Sequence, residues 1–194
     1  MDVAILGGSF DPPHLGHLAV ARHAVKSFGF DSVFLMPCFA HKFGKPLQDP
    51  AHRVAMCRLA ADGDPKIIVS EYEIKKKLAG ETYHMLRSLL SEASASEYGF
   101  SMIIGMDNAA CFDKWFNHEE LKKIVPFVVI PRKGVEPPSG GQWFNLPPHQ
   151  VAPPMDGDFA SSTAIRALLK EGKPTDGLLH PKVAEYIREH GLYR

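Results

Sequence analysis

The amino-acid sequence predicts an α/β fold built on a doubly wound parallel sheet. Three observations point to it. Short, continuous apolar runs recur along the first two thirds of the chain, segments with apolar residues at helical spacing fill the gaps, and the bare connection "GGSFDPPHLGH" (7–17) follows directly on the first apolar run. Continuous apolar strands alternating with amphipathic helices are the pattern of a parallel sheet covered on both faces.

The elements follow in order. Strands are predicted over 3–6 ("VAIL"), 32–36 ("SVFLM"), 66–74 ("KIIVSEYEI"), 100–105 ("FSMIIG") and 126–130 ("PFVVI"), and helices over 15–28, 50–61, 81–96 and 117–123. In the first helix Leu15, Leu18, Ala19, Arg22 and Val25 share one mostly apolar face, which should pack on the sheet. Over 131–160 the periodicity dissolves and seven of the sixteen prolines collect, which reads as a long functional or mobile loop with one short strand near 149–152. Two short helices, 161–171 and 181–189, close a single domain of 1–194 whose helical end begins at about 155, and no internal repeat is visible.

Composition narrows the class. With 194 residues, 45% hydrophobic and 23% charged, the chain has an ordinary globular profile. Folding would bury roughly 70% of the unfolded surface. Lysine plus arginine equals aspartate plus glutamate, at 22 each, which argues against a nucleic-acid coat or a polybasic membrane binder. Cys38, Cys57 and Cys111 are scattered, so neither a disulfide framework nor a zinc site is indicated. The start "MDVAIL" has no secretory pattern, and no apolar run approaches the ~18 residues of a membrane span. A cytoplasmic protein is expected, with homo-oligomerisation left open.

In such sheets ligands sit beyond the carboxyl ends of the strands, where the strand order reverses. "GGSFDPPHLGH" occupies the first of those ends. Gly7 and Gly8 allow a sharp turn and close approach of backbone N–H groups, and the following helix offers an electropositive N-terminus for phosphate. The spacing fits neither a dinucleotide-binding G-x-G-x-x-G nor a Walker loop. What remains is H-x-G-H, with His14 and His17 on one helix face and Gly16 keeping that face free of bulk. Two surface histidines at a cap, or a metal pair lacking a third ligand, are the alternatives.

Four further stretches fall on the same edge. Ser161, Ser162 and Thr163 open a helix with Arg166 one turn in, more hydroxyls than one cap requires and a second phosphate cradle. An ordinary cap with a solvated arginine is the simpler alternative. Lys42, in "AHK" after the second strand, offers a point charge, or is an exposed loop lysine. In "IIGMDNAACFDKWF" (103–116), Gly105 ends a strand, Asp107 suits ribose hydroxyls and Trp115 suits a flat ring; a capping aspartate and a core tryptophan are the alternatives. Arg132 lies just past the fifth strand. Together these residues describe a site for a polyphosphate nucleotide and a second phosphorylated partner.

These same stretches carry a resemblance. From "GGSFDPPHLGH" through "HK", "IIGMDNAACFDKW", "PRKG" and "SSTAIR" to the tail "LLHPKVAEYIREHGLY", nearly the whole chain resembles the nicotinate/nicotinamide mononucleotide adenylyltransferases of the H-x-G-H nucleotidyltransferase superfamily. H-x-G-H marks the superfamily, and "GGSFDP" with "SSTAIR" marks its pyridine-nucleotide branch. One segment departs: "GETYHMLRSLL" (80–90) stands where bacterial nicotinate-type members carry S-Y-T-x-D-T, and it is closer to the E-T-x-x-x-L-R stretch of dual-specificity eukaryotic members. The choice between nicotinate and nicotinamide stays open.

The resemblance implies a Rossmann-like nucleotidyltransferase fold and a step of NAD biosynthesis. The mononucleotide's phosphate would attack the α-phosphorus of ATP and pyrophosphate would leave. A phosphate monoester, with a second pKa of about 6, is mostly dianionic at pH 7 and needs no general base. Catalysis is then positioning and charge stabilisation. The implied roles are catalytic for His14, His17, Arg166 and Lys42; ATP binding for Gly7, Gly8, Gly105, Asp107, Ser161, Ser162 and Thr163; and mononucleotide binding for Ser9, Phe10, Thr82, Trp115 and Arg132. Mg²⁺ is expected to arrive with ATP, with no separate metal site. A different phosphorylated acceptor, or a non-catalytic nucleotide sensor on the same fold, are the rival readings.

Overall fold

A computed structural model describes the chain except residues 43, 93–97, 133, 138–141, 156 and 158. Its centre is a six-stranded parallel sheet of β1 (Asp2–Gly8), β2 (Ser32–Pro37), β3 (Ile67–Val69), β4 (Gly99–Gly105), β5 (Phe127–Ile130) and β6 (Gln150–Val151), in the order β3-β2-β1-β4-β5-β6. The chain moves outward from β1 to β3 and then returns to the other side of β1. The order therefore reverses between β1 and β4, and the crevice for a ligand lies beyond their carboxyl ends.

Alternate residues of each inner strand feed two separate cores, which is why the strands read as unbroken apolar runs. Ala4 and Leu6 of β1 pack with Leu18 of α1 (Leu15–Phe28), Met56 of α2 (Pro50–Ala61) and Ile165 and Val183 from the C-terminal helices. Val3 and Ile5 pack on the opposite face with Met85 and Leu121 from the helices between β3 and β5. Local chemistry sets the helix ends. Gly29, at φ 73°, closes α1 with its N–H on the Val25 carbonyl, and Asp49 caps α2, accepting from the Ala51 N–H at 2.7 Å ahead of Pro50.

Several boundaries differ from the sequence expectation. The strand predicted over 66–74 is only Ile67–Val69, followed by the helix α3 (Tyr72–Lys76). β3 lies at the edge with β2 as its one neighbour, and its pairing runs out at Leu35↔Val69. Past that point the backbone closes a helical turn, with Lys75 N–H on Glu71 O at 2.8 Å. The helix predicted over 81–96 is α4 (Thr82–Glu92), and its expected last residues lie outside the described residues. A short α5 (Met106–Ala110) precedes α6 (His118–Ile124), the helix expected at 117–123. On α1, Leu15, Leu18 and Val25 of the expected face pack on the core together with Ala21 and Ala24, whereas Arg22 points outward to Asp64 at 2.8 Å.

Part of 131–160 packs against the core. Phe144 is buried, the Trp143 ring stacks on Phe112 at 4.4 Å, and the expected short strand exists as β6 on β5. The rest of that stretch, residues 133, 138–141, 156 and 158, lies outside the described residues. At the C-terminus α7 (Ser162–Lys170) and α8 (Pro181–Glu189) dock on the α1 side, and Leu15 N–H donates to Leu178 O at 2.9 Å.

Candidate active site

Parallel pairing carries Gly7 and Gly8 to the carboxyl edge of the sheet, where Gly8 lies in register with Pro37 of β2. A side chain on Gly7 would meet no protein atom within 4 Å, so its backbone is bare toward open space. Phe10, a non-glycine residue at φ 46°, then reverses the chain. Its side chain is buried and its ring edge meets His17 at 4.8 Å between centroids. Phe10 is thus the floor of the loop, buried as a whole residue, and it does not line the adjoining cavity.

His14 caps α1, and its backbone N–H donates to His17 Nδ1 at 3.1 Å. The two rings lie 3.7 Å apart at 31°. Burial, reinforced by the Arg132 charge, pulls the His14 pKa down to about 4, and burial together with His14 holds His17 well below the usual range. Both rings are therefore neutral at pH 7. Because His17 Nδ1 accepts a hydrogen bond, its proton sits on Nε2, which is left as a donor. His14 Nδ1 is buried without a partner. Gly16 does avoid bulk, but against the protein itself: a side chain there would lie 2.7 Å from Phe159 Cβ and 2.9 Å from His14 Nδ1.

The second cradle is fastened to this loop across most of the chain. Arg166 Nη1 donates to Asp11 O at 2.7 Å and Nη2 to Thr163 Oγ1 at 3.2 Å, while Ser162 Oγ donates to Pro12 O at 3.0 Å. Ser161 alone serves as the cap, accepting from Ala164 N–H at 3.2 Å. Three hydroxyls thus divide into one cap, one tie and one partner for the guanidinium. Ser162's proton is committed to Pro12.

Beside the glycine loop lies a cavity of about 290 Å³, lined among others by Gly8, Ser9, Thr82, Met85, Gly105 and Trp115. The Trp115 ring closes one wall and leans on Phe112 at 5.2 Å, so it belongs to both core and cavity. Lys42 stands at the rim, its Nζ 3.7 Å from Glu81 and 5.8 Å from the Phe116 ring centroid. His14, His17, Ser161, Ser162, Thr163 and Arg166 are not among the cavity-lining residues but lie on the adjoining helix ends. Asp107 is exposed in the first turn of α5, folded back over Gly105, and Arg132 acts electrostatically on His14.

Three residues of this edge went unread in the sequence. Arg53 of α2 is wholly buried, donating to Ser9 O at 2.8 Å, Cys38 O at 2.7 Å and Gln48 O at 2.9 Å, so one guanidinium braces the loops after β1 and β2. Glu73 of α3 is buried in the cavity wall; burial raises its pKa to about 7 against the opposing effects of the Phe39 N–H and Arg53. Tyr193 donates to Asp11 Oδ1 at 2.6 Å. The available signal was for Arg53 alone, a single charge on the otherwise apolar side of "RVAMCRLAA".

Comparison with known proteins bears on this arrangement. A family model described as cytidylyltransferase-like matches residues 5–168. The chain is 34% identical to the nicotinate-nucleotide adenylyltransferase of Bacillus subtilis (strain 168), with 98% of this chain and 97% of that protein covered. It is 36% identical to the "Probable nicotinate-nucleotide adenylyltransferase" of Anaeromyxobacter sp. (strain K), over 100% of this chain and 97% of that protein.

The chain belongs to the nicotinate-nucleotide adenylyltransferase family.

Membership places it among nucleotidyltransferase enzymes. Its fold is that of the Plasmodium falciparum nicotinic acid mononucleotide adenylyltransferase solved with NaAD (TM-score 0.85, 21% identity, 99% of this chain and 97% of that one covered). The same Plasmodium falciparum enzyme solved with APC gives a TM-score of 0.81 at 20% identity, over 99% of this chain and 96% of that one. Among the described residues no helix is long and apolar enough to cross a membrane, and no three His, Cys, Asp or Glu side chains gather to hold a metal ion.

Proposed function

We propose that this nucleotidyltransferase joins ATP to nicotinate mononucleotide, yielding the dinucleotide and pyrophosphate, as a cytoplasmic step of NAD biosynthesis carried out by residues 1–194 as one unit. The observation that carries the reading is that a walled cavity and two polar helix N-termini meet at one bare glycine loop. Nicotinate is the base named for the relatives at 34–36% identity. The segment 80–90 favours a second reading in which nicotinamide mononucleotide is also accepted.

In the proposed step an oxygen of the mononucleotide phosphate bonds to the α-phosphorus of ATP. The α–β bridging P–O bond breaks and its electron pair leaves with pyrophosphate. The attacking group is already dianionic near pH 7, which fits a site whose histidines have lowered pKa values and are therefore weak bases. The His17 Nε2–H is a donor for the phosphoryl oxygens as charge builds there, with His14 beside it. Arg166 holds the outer phosphates with the N–H groups left over from Asp11 and Thr163, and the Ser161 hydroxyl and Thr163 complete that cradle. Lys42 leaves Glu81 for the polyphosphate. Gly105 and Asp107 face the ATP ribose. Ser9, Thr82 and Trp115 hold the mononucleotide, with Arg132 adding charge toward its phosphate. Mg²⁺ enters as part of the ATP complex.

The test is pyrophosphate release from ATP with nicotinate mononucleotide, nicotinamide mononucleotide and a panel of other phosphorylated acceptors. The reading expects the highest kcat/KM with nicotinate mononucleotide. Turnover with a different acceptor alone, or ATP binding with no pyrophosphate from any acceptor, would replace it with the other-acceptor or sensor reading.

A further inference from the structure

A contact near the end of the chain, at Tyr193, reaches back to its first loop. Tyr193 donates its hydroxyl proton to Asp11 Oδ1 at 2.6 Å, the short distance of a charge-assisted bond, across 182 positions of sequence. Asp11 is 3% exposed and lies in the middle of "GGSFDPPHLGH". Its backbone carbonyl takes Arg166 Nη1 at 2.7 Å, and the next carbonyl, that of Pro12, takes Ser162 Oγ at 3.0 Å. Asp11 is therefore the node at which the glycine loop, the α7 cradle and the tail meet.

The backbone on both sides of this node is strained. Among the described non-glycine residues, positive φ occurs only at Phe10, Lys77, Asn117 and Tyr193. Two of those four are Tyr193 itself, at 62°, and Phe10, at 46°, the residue next to Asp11. A phenylalanine and a tyrosine hold such conformations only where their surroundings over-determine them, and such strain clusters at functional sites. Phe10 in turn presses its ring edge on His17, and His14 follows two prolines after Asp11.

The hydroxyl is not what seats the tail. Leu192 is buried in the core, its N–H bonds Ile187 O at 3.0 Å, and Val183 and Ile187 of α8 are buried beneath it. The Tyr193 ring sits against that cluster already. What the hydroxyl adds is a hold on Asp11. Burial and the Asp11 charge push the phenol pKa far upward, so it stays a donor throughout the working pH range.

We propose that Tyr193 is a positioning residue for phosphoryl transfer, its hydroxyl fixing Asp11 so that the glycine loop holds His14 and His17 in line with the Arg166 cradle. The proposal rests on the adenylyl-transfer reading for its kinetic consequence. Its geometric consequence is independent of that reading.

The experiment compares the parent with Tyr193→Phe, which removes one oxygen, and with Leu192→Ala, which loosens the tail without touching the hydroxyl. Tyr193→Phe is expected to lower kcat about ten- to a hundredfold with both KM values changed by less than about threefold, and to shift the imidazole Hε1 NMR signals of His14 and His17. Leu192→Ala is expected to lower Tm while keeping kcat, measured where it is fully folded. A Tyr193→Phe protein with kcat within twofold of the parent and unmoved His14 and His17 signals overturns the proposal. So does an equal loss of kcat in both variants, which would assign the effect to tail stability. If the parent releases no pyrophosphate with any acceptor, the functional reading fails, and the imidazole signals still decide the positioning role.

Discussion

The cavity beside β1 and the proposed phosphate surface at the α1 and α7 N-termini share one loop but are built on opposite principles. The cavity has walls before any ligand arrives: Met85, Met102 and Trp115 come from the packed core, and Arg53 bolts the Ser9 and Cys38 carbonyls in place. At the helix ends the polar groups are instead engaged with one another, His14 N–H with His17 and Arg166 with Asp11 and Thr163. A flat ring is recognised by a shape that core packing can hold rigid. A polyanion is met by donors kept aligned through internal partners, some of which it replaces.

That contrast is broken most severely at His17. His17→Ala removes the one imidazole N–H whose tautomer is set by the loop, and kcat is expected to fall about a thousandfold with little change in either KM. Near-parental turnover at saturating substrates would take His17 out of the transition state. Arg166→Ala comes next. It removes a phosphate donor and the tie to Asp11 together, so kcat/KM for ATP should drop about a hundredfold. An unchanged ATP titration would leave Arg166 as a tie only.

Trp115→Ala probes the walled half, and there the effect should fall on one substrate. The KM for the mononucleotide is expected to rise about tenfold while that for ATP stays within a factor of about two. Equal rises in both would return Trp115 to the core alone.

The last effect is on stability. His14 has a pKa of about 4 when folded against 6.5 as its ordinary value, so the unfolded chain binds the extra proton as pH falls below 6.5. Stability is therefore intact above pH 6.5 and is lost on acidification toward pH 4, by about 3 kcal/mol for this group. In denaturant titrations across that window His14→Gln should flatten the slope, and an unchanged slope would mean that His14 is not held neutral. ATP analogues should have the opposite influence on the ring, drawing its pKa upward beside the phosphates, which NMR titration of the Hε1 signal would read.

How much of this was legible in the sequence depends on how far each residue's partners lie from it. The inner strands were legible because burial on both faces leaves unbroken apolar runs, whereas β3, with one neighbour, gave out after Val69 and let "SEYEIKK" turn into helix. The ties of Ser162 and Arg166 to Pro12 and Asp11 cross most of the chain and leave no local pattern, whereas the contact of His14 with His17, three apart at a helix start, was legible. Arg53, Glu73 and Tyr193 were not. Their roles rest on Ser9, Cys38, Phe39 and Asp11, positions supplied by other elements and, for Arg53, on carbonyls that every residue type possesses. Gly16 shows the limit from the other side: the sequence says that it keeps the histidine face free of bulk, but not that the neighbour requiring this is Phe159, far along the chain.

The central claim is that a mononucleotide seated in the cavity attacks the α-phosphorus of ATP lying across the helix ends. The most direct measurement labels the phosphate oxygens of nicotinate mononucleotide with ¹⁸O and follows the products by ³¹P NMR. The account predicts label in the bridge of the dinucleotide and unlabelled pyrophosphate. An unlabelled bridge, with one labelled oxygen lost from the mononucleotide's phosphorus, would contradict it.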